Sequence, residues 1–215
     1  DRSDRRSRSI GPRNDFKWVF AWLGLTVFAI PFDRVVYNWS WMDPHGLTKD
    51  ALSVVEYMSG YPIHLLILSI LFSCWNRRDL IKGYLLIMIG QGVICDLVKI
   101  LVGRARPGFG NGPFHFEPFS FSMDMTSFPS GDACAAMALA TLLGFYFPRS
   151  KWMFWVLGLT AALARVARGR HFLSDVFFGA GFGFLIAQII FCLLGQRYFL
   201  FQAEGERTMN FATND

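Results

Sequence analysis

The chain has 215 residues, of which 53% are hydrophobic and 17% are charged, and its formal net charge is +5. Soluble domains contain about 25% charged residues, so this composition excludes an ordinary soluble domain. Long apolar blocks separate the basic residues, which indicates a membrane protein that binds an anion and argues against a nucleic-acid partner.

Six apolar segments predict transmembrane helices after the polar, Arg-rich region 1–15. They cover 16–32, 61–75, 80–103, 131–147, 152–166 and 173–196. No small-residue cleavage site follows the first segment, so we expect it to be a membrane helix and not a signal peptide. The predicted fold class is all-α: a polytopic bundle of six helices forming one catalytic domain over 16–197, followed by a tail over 198–215.

The segment between the first two predicted spans contains a further helical pattern. Apolar residues recur there at helical spacing: Leu47, Ala51, Val54, Val55 and Met58. This spacing predicts a short amphipathic helix on the outer membrane surface. A partly ordered loop is the alternative.

The distribution of Lys and Arg predicts the orientation of the chain. With the N-terminus in the cytoplasm, more Lys and Arg lie on the cytoplasmic side than on the opposite side. Most basic residues on that opposite side fall in two clusters, 99–106 and 165–170, which carry the chemistry described below. The sequence therefore predicts cytoplasmic termini and a functional site at the outer face.

The first cluster contains Lys99 and Arg106, seven residues apart and followed by Pro107. Seven residues make two helical turns, so both side chains are expected to point the same way at a helix end that the proline terminates. Charged residues in an apolar span indicate a polar cavity. Snorkelling to the interface is the alternative interpretation.

The second cluster, Ser127-Phe128-Pro129-Ser130-Gly131-Asp132, directly precedes the fourth span. Ser130 is a favourable helix N-cap, and Gly131 lets a ligand approach the backbone. Free N–H groups at a helix N-terminus bind phosphate, although a simple capped helix start would have the same sequence.

The third cluster places Arg165 before His171 and Asp175. Four residues separate the histidine from the aspartate, so on a helix they share a face, and the carboxylate is expected to bond one imidazole nitrogen. The other nitrogen then acts as nucleophile or base. A histidine–aspartate pair alone is often structural, but the neighbouring arginines favour an anionic ligand.

The three clusters read Lys-x6-Arg-Pro, Pro-Ser-Gly-Asp and Ala-Arg-x5-His-x3-Asp. Their order and spacing resemble the type 2 phosphatidic acid phosphatase superfamily over about 80–196. The resemblance implies a lipid phosphatase without metal or cofactor, in which His171 forms a phosphohistidine and Asp175 orients it. It also implies five phosphate-binding positions: Lys99, Arg106, Ser130, Gly131 and Arg165.

Two positions depart from the family pattern. Ala164 replaces a serine, and Asp132 stands where the family has the histidine that protonates the leaving group. A carboxylate among cations is expected to be ionised at neutral pH and to repel phosphate. Either Asp132 is an acid whose protonated form a bound phosphate favours, or it is an inactivating substitution, or His115 supplies the proton, or the chain has lost catalysis.

The predicted function is hydrolysis of a lipid phosphate at the outer leaflet of a bacterial inner membrane, with the active site facing the periplasm. Candidate substrates are lipid A phosphates, undecaprenyl diphosphate, phosphatidylglycerol phosphate and phosphatidic acid, and the glycine- and aromatic-rich segment 108–121 most resembles lipid A phosphatases. A lipid phosphotransferase and a non-catalytic lipid-phosphate binder are the alternatives. The sequence leaves the oligomeric state open.

Overall fold

The computed structural model describes residues 17–39, 66, 69, 78–109 and 112–212, with the backbone alone for 39, 78–80 and 194–212. All regular elements in these ranges are helical, apart from one isolated bridge between Arg104 and Phe116, so the predicted all-α class is confirmed there. The α-helices are α1 Lys17–Ala29, α2 Asp33–Trp39, α3 Arg78–Val102, α4 Gly131–Tyr146, α5 Lys151–Ala167 and α6 Leu173–Ala212.

Three stretches of the described chain are long and apolar enough to cross a membrane: Lys17–Asn38, Ile81–Val102 and Leu173–Leu193. Helix α4 is also apolar, although it has only 16 residues. Apart from Leu66 and Ser69, the predicted second span 61–75 and the predicted surface helix around 47–58 lie outside the described residues.

The predicted helix ends differ from the observed ones in two places. The first span continues past residue 32 through a 3-10 turn, Ile30–Phe32, into α2, and so brings Asp33 into the bundle. The backbone of α6 remains helical to Ala212, beyond the predicted end at residue 196. Apolar periodicity ends where the membrane-facing surface ends, whereas helical hydrogen bonding continues along the polar sequence that follows.

Helix α4 forms the centre of the bundle. Most of its side chains are buried, including Ala133, Met137 and Leu142. Alanine favours the helical conformation and lets neighbouring helices approach closely. Helix α6 uses this closeness, since a Cβ atom added at Gly183 would collide with the carbonyl oxygen of Cys134. Backbone contact of this kind holds the N-terminal halves of α4 and α6 side by side.

Helix α1 packs against the opposite face of α6 through an aromatic cluster. Trp22, Trp155 and Phe184 are buried together, and the rings of Trp155 and Phe184 meet edge to face at 5.3 Å. This cluster joins α1, α5 and α6 into one hydrophobic core. At the far end of this span, α2 begins beside the N-terminus of α6, where Ser174 N donates to Asp33 Oδ1.

The ends of four helices meet on one side of the bundle. Helices α3 and α5 end there, whereas α4 and α6 begin there. The segment 103–130 crosses this end and is tied to α3 by hydrogen bonds from Phe119 N to Ile100 O and from Glu117 N to Gly103 O, both 2.7 Å long. All three motif clusters therefore lie at the same end of the bundle.

Candidate active site

Lys99 brings the first motif into contact with the second. It lies in the last turn of α3, and its Nζ is 3.1 Å from the point where a side chain at Gly131 would begin. Any residue larger than glycine would displace this ammonium group from the start of α4. Lys99 Nζ also donates to Asp96 Oδ1 at 3.0 Å.

Arg106 does not lie on a helix, so the prediction of a helix running from Lys99 to the proline was wrong. Helix α3 ends at Val102, and the chain continues in extended form, with Ala105 N donating to His115 O and Arg106 N to Asp124 O. This pairing with the loop satisfies the backbone without helical bonds. Arg104 is buried in this segment, whereas Arg106 is half-buried.

The Arg106 guanidinium has unused hydrogen-bonding capacity. Its Nη2 donates to Thr126 Oγ1 at 3.1 Å, whereas its Nε is buried and makes no hydrogen bond within the part of the chain that the structure describes. Burial and the nearby positive charge of Arg165 lower the pKa of Arg106 from its usual value. A buried donor beside other cations is chemically suited to an anionic ligand.

Ser130 is the N-cap of α4, as its sequence position predicts. Its hydroxyl oxygen accepts from Ala133 N at 3.5 Å, and its own N–H donates to Asp175 O at 3.1 Å. The helix N-terminus therefore faces the third motif. Its orientation puts the positive end of the helix dipole at the site.

His171 lies in the turn between α5 and α6 and is buried. Its Nδ1 is 2.8 Å from the carbonyl oxygen of Ser127. A carbonyl can only accept, so Nδ1 carries the proton and Nε2 has the free lone pair. Burial holds the pKa of His171 well below 6.5, and the positive charges of Arg106, Arg165 and Lys99 lower it further. The imidazole is thus neutral at pH 7.

Asp175 does not make the predicted hydrogen bond to the imidazole. Its Oδ2 is 4.0 Å from His171 Nδ1 and accepts instead from Ser127 Oγ at 2.6 Å and Phe172 N at 2.9 Å. The physical reason is that α6 begins at Leu173, so His171 precedes the helix, and the carboxylate caps the first turn. The acceptor for the imidazole is Ser127 O.

Asp132 lies in the first turn of α4 and pairs with a cation of the third motif. Its Oδ2 is 2.8 Å from Arg165 Nη2, and its side chain is half-buried. The position that the family reserves for a histidine therefore holds a carboxylate beside the proposed phosphate-binding arginine. His115 pairs instead with Glu117, with Nε2 and Oε1 3.1 Å apart.

Three residues to which the motif analysis assigned no role are central to the geometry: Asp33, Arg104 and Ser127. Asp33 and Arg104 form a buried ion pair, and Ser127 accepts from the imidazole. Charge within or beside an apolar span was the available signal for the first two, since an ionisable residue there needs a partner. Ser127 had no comparable signal, because its backbone carbonyl makes the contact.

A family model described as the PAP2 superfamily matches residues 81–199, which include all three motifs. The chain belongs to this superfamily. The resemblance drawn from the motifs is thus confirmed, and Asp33 lies outside the matched residues.

Two curated relatives are each similar to about half of the chain. A lipid A 1-phosphatase of Rhizobium johnstonii is 34% identical over 113 residues, which are 50% of this chain and 46% of that protein. A lipid A 1-phosphatase of Rhizobium etli is 35% identical over 98 residues, 45% of this chain and 42% of that protein. The chain therefore spans less than half the length of the curated relatives it matches.

Two crystal structures have a similar fold, each with a TM-score of 0.60. Aquifex aeolicus LpxE is 22% identical, and the likeness covers 76% of this chain and 94% of LpxE. The Bacillus subtilis transmembrane PAP2 type phosphatidylglycerolphosphate phosphatase is 18% identical, with coverage of 81% and 92%. At these identities the likeness establishes the fold alone.

Proposed function

We propose that the protein is a membrane lipid phosphatase that removes phosphate through a phosphohistidine on His171. One observation carries the proposal. His171 is neutral, its Nδ1–H donates to Ser127 O, and the positive charges of Lys99, Arg106 and Arg165 lie close enough to lower its pKa. A neutral imidazole with a free Nε2 is a nucleophile. Three cations supply the donors that a phosphoryl group requires.

The proposed reaction has two steps. Nε2 of His171 forms a bond to phosphorus as the bond to the lipid oxygen breaks, while Lys99, Arg106 and Arg165 neutralise the equatorial oxygens. Water then attacks the phosphohistidine, inorganic phosphate leaves, and the imidazole is regenerated. Ser130 and Gly131, at the α4 N-terminus, complete the phosphate site with backbone N–H groups.

We assign Asp132 as the proton donor to the leaving lipid alkoxide. Asp132 is one residue from Gly131 and beside Arg165, so it lies at the edge of the proposed phosphate site. A carboxyl group at this edge can give its proton to the leaving oxygen. Water returns the proton to Asp132 in the second step.

The loop beside the site supports a lipid substrate over a soluble phosphate ester. Phe119 and Phe121 are 68% and 83% exposed, and the hydrogen bond from Phe119 to Ile100 puts the loop alongside the last turns of α3. Large exposed aromatic residues mark contact with apolar partners. The lipid A 1-phosphatase relatives favour lipid A carrying a 1-phosphate as the substrate.

The test is release of inorganic phosphate by the purified protein in detergent, without added metal, from lipid A and from phosphatidic acid, phosphatidylglycerol phosphate and undecaprenyl diphosphate. We expect phosphate release from lipid A by the wild type and no release by His171→Ala. That variant should still bind inorganic phosphate. Acid-labile labelling by radioactive lipid phosphate should be present in the wild type and absent in that variant.

Three results would contradict the proposal. Full turnover by His171→Ala excludes His171 as the nucleophile. Strict dependence on magnesium excludes the metal-free reaction. Binding of lipid phosphates without turnover by the wild type, with turnover restored by Asp132→His, favours the second candidate, a lipid-phosphate binder, for which the Asp132–Arg165 pair is the supporting observation.

A further inference from the structure

Arg104 uses its whole guanidinium group inside the protein. Nε and Nη2 both donate to Pro113 O, at 3.0 and 2.7 Å, and Nη2 also donates to Asp33 Oδ2 at 2.8 Å. Nη1 donates to Ser174 Oγ at 2.8 Å and to Asp175 Oδ1. An arginine has five N–H donors, and these are five hydrogen bonds. Arg104 is also 3% exposed, so it has no donor left for a substrate phosphate.

Asp33 joins this arginine to the start of α6 from a different helix. Its carboxylate is fully buried, and it accepts from Ser174 N at 3.0 Å through Oδ1 and from Ser174 Oγ and Arg104 through Oδ2. Asp33 thus caps the first turn of α6 from the first residue of α2. The N-terminal dipole of α6 and the guanidinium together compensate two buried carboxylates, Asp33 and Asp175.

The contacts continue from Arg104 to the imidazole. Arg104 Nη1 donates to Asp175 Oδ1, and the Ser127 hydroxyl donates to Asp175 Oδ2. The carbonyl oxygen of Ser127 then accepts from His171 Nδ1. Arg104 also accepts from Ser127 N at 3.0 Å through its backbone carbonyl. Ser127 is therefore fixed at its N–H, hydroxyl and carbonyl, and two of these contacts depend on Arg104 or its partner.

We propose that Asp33 and Arg104 are positioning residues for the reaction, which act on His171 through Asp175 and Ser127. The proposal rests on the proposed phosphatase function and extends it to the first membrane helix, outside the residues that the family model matches. A residue of this kind changes the rate of the chemical step and leaves phosphate binding unchanged. Lys99, Arg106 and Arg165 are unaltered when Asp33 is replaced, so the binding donors stay in place.

The first test is Asp33→Asn, which keeps the side-chain shape and removes its charge. We expect kcat to fall by about 10²-fold, because a misplacement of about 1 Å at the reacting atoms has an effect of that order. We expect KM and the inhibition constant of inorganic phosphate to change by less than about twofold, since uniform binding is retained. The matched control is Arg34→Gln, at the neighbouring exposed position, with wild-type kcat.

A second variant separates positioning from folding, because breaking one side of a buried ion pair also destabilises a protein. Arg104→Lys keeps a cation between Asp33 and Asp175, so we expect its thermal unfolding midpoint to stay near that of the wild type, while kcat is low because an ammonium group cannot form the same five hydrogen bonds. Wild-type kcat together with a wild-type midpoint in this variant would overturn the proposal, as would wild-type kcat in Asp33→Asn. A raised KM with unchanged kcat would also overturn it, since that result assigns Asp33 to binding.

The wild-type protein, assayed in parallel on the same lipid, distinguishes the two proposals. If the wild type releases phosphate and Asp33→Asn has the same kcat, the positioning role is refuted and the phosphatase function stands. Absence of release from every lipid tested refutes the phosphatase function, and the positioning role with it.

Discussion

Asp132 and Arg165 show how one side chain alters the site around it. The carboxylate occupies Nη2 of an arginine that the family motif assigns to phosphate. A phosphate oxygen that approaches Arg165 must share the guanidinium with this carboxylate or displace it. In the reaction that we propose, like charge at this point weakens phosphate binding, and it also puts an acidic group where the leaving oxygen needs a proton.

Asp132→Asn therefore changes binding and catalysis in opposite directions. The inhibition constant of inorganic phosphate should fall by about two- to fivefold, the size expected for one partly exposed ion pair. Turnover of lipid phosphate should fall by about 10²-fold or more, because the amide has no proton to give at neutral pH. The two constants are measured on the same purified variant.

Glu117→Gln is the control for this prediction, since Glu117 is an exposed acid that pairs with His115 and not with Arg165. It should leave both constants near the wild-type values. Unchanged turnover in Asp132→Asn would remove Asp132 from the reaction and leave it as a modulator of binding alone.

His171 gives a second prediction at the residue scale, concerning pH. Burial, Arg106 and Arg165 lower the pKa of His171 well below 6.5, so the folded protein keeps the imidazole neutral where an unfolded chain binds a proton. Activity that needs the neutral imidazole should persist below pH 6.5 and fall only at lower pH. The same proton difference makes the free energy of unfolding decrease as the pH falls below about 6.5.

The measurement is the pH profile of kcat/KM for two lipid phosphates whose own second ionisations differ. A fall in kcat/KM at the same acidic pH for both substrates comes from the enzyme. A fall caused by ionisation of the substrate phosphate occurs at a different pH for each substrate. A shared fall at or above pH 6.5 would contradict the assignment.

Residue types and spacing predicted the cap at Ser130 correctly, and they pointed to three cations and a histidine that the structure brings together, Lys99, Arg106, Arg165 and His171. They were insufficient for the partner of His171. The histidine–aspartate spacing indicated a direct bond, but His171 precedes α6, and Asp175 Oδ2 accepts from Ser127 Oγ and Phe172 N. A hydrogen bond to a backbone carbonyl, such as Ser127 O, does not depend on the type of side chain, so the sequence cannot predict it. The pairing of Asp33 with Arg104 joins residues 71 positions apart, so local patterns could not predict it either.

At the scale of elements, the site depends on how closely α4 and α6 approach. Both helices begin at the site, and Ser130, the cap of α4, donates to Asp175 O in the first turn of α6. Apolar periodicity predicted both helices, but it did not predict the separation between them. That separation is set by small residues such as Gly183, where the α6 backbone meets Cys134 O of α4.

Gly183→Ala should separate the two helices and loosen the site. The added Cβ would collide with backbone, which cannot rotate away, so we expect a loss of about 1–3 kcal/mol of stability. Thermal unfolding in detergent should show a lower midpoint, and phosphate release should fall with it. Gly92→Ala on α3 is the matched control, because a Cβ there meets no atom within 4 Å in the described structure, and the midpoint should stay the same or rise.

Helix α3 shows the limit of periodicity in a different way. The apolar pattern predicted an apolar helix there, and the structure has one, but the helix ends at Val102, before Arg104 and Arg106. Pairing of Arg104 with Phe116 and of Ala105 with His115 replaces the helical bonds. Such pairing depends on the loop that returns from further along the chain, which a local pattern does not contain.

At the scale of the whole molecule, the antiparallel order of α3 to α6 separates two ends of the bundle. The end that carries the motifs also carries the exposed aromatic loop, and the opposite end carries the turn Pro148–Ser150 between α4 and α5. Arg149 lies in that turn and Lys151 follows it, and positive residues are typical of cytoplasmic loops. The orientation with the site at the periplasmic face is a prediction from this charge distribution.

Two conservative substitutions at the opposite ends test this orientation. Ser122→Cys introduces a thiol in the exposed loop beside the site, and Ser150→Cys introduces one in the turn at the other end. A membrane-impermeant maleimide added to intact spheroplasts should label Ser122→Cys and not Ser150→Cys. Permeabilised cells should label both, and the unsubstituted protein measures the background from its own cysteines. Labelling of Ser150→Cys alone in intact spheroplasts would invert the topology and place the phosphate site in the cytoplasm, where a periplasmic substrate cannot reach it.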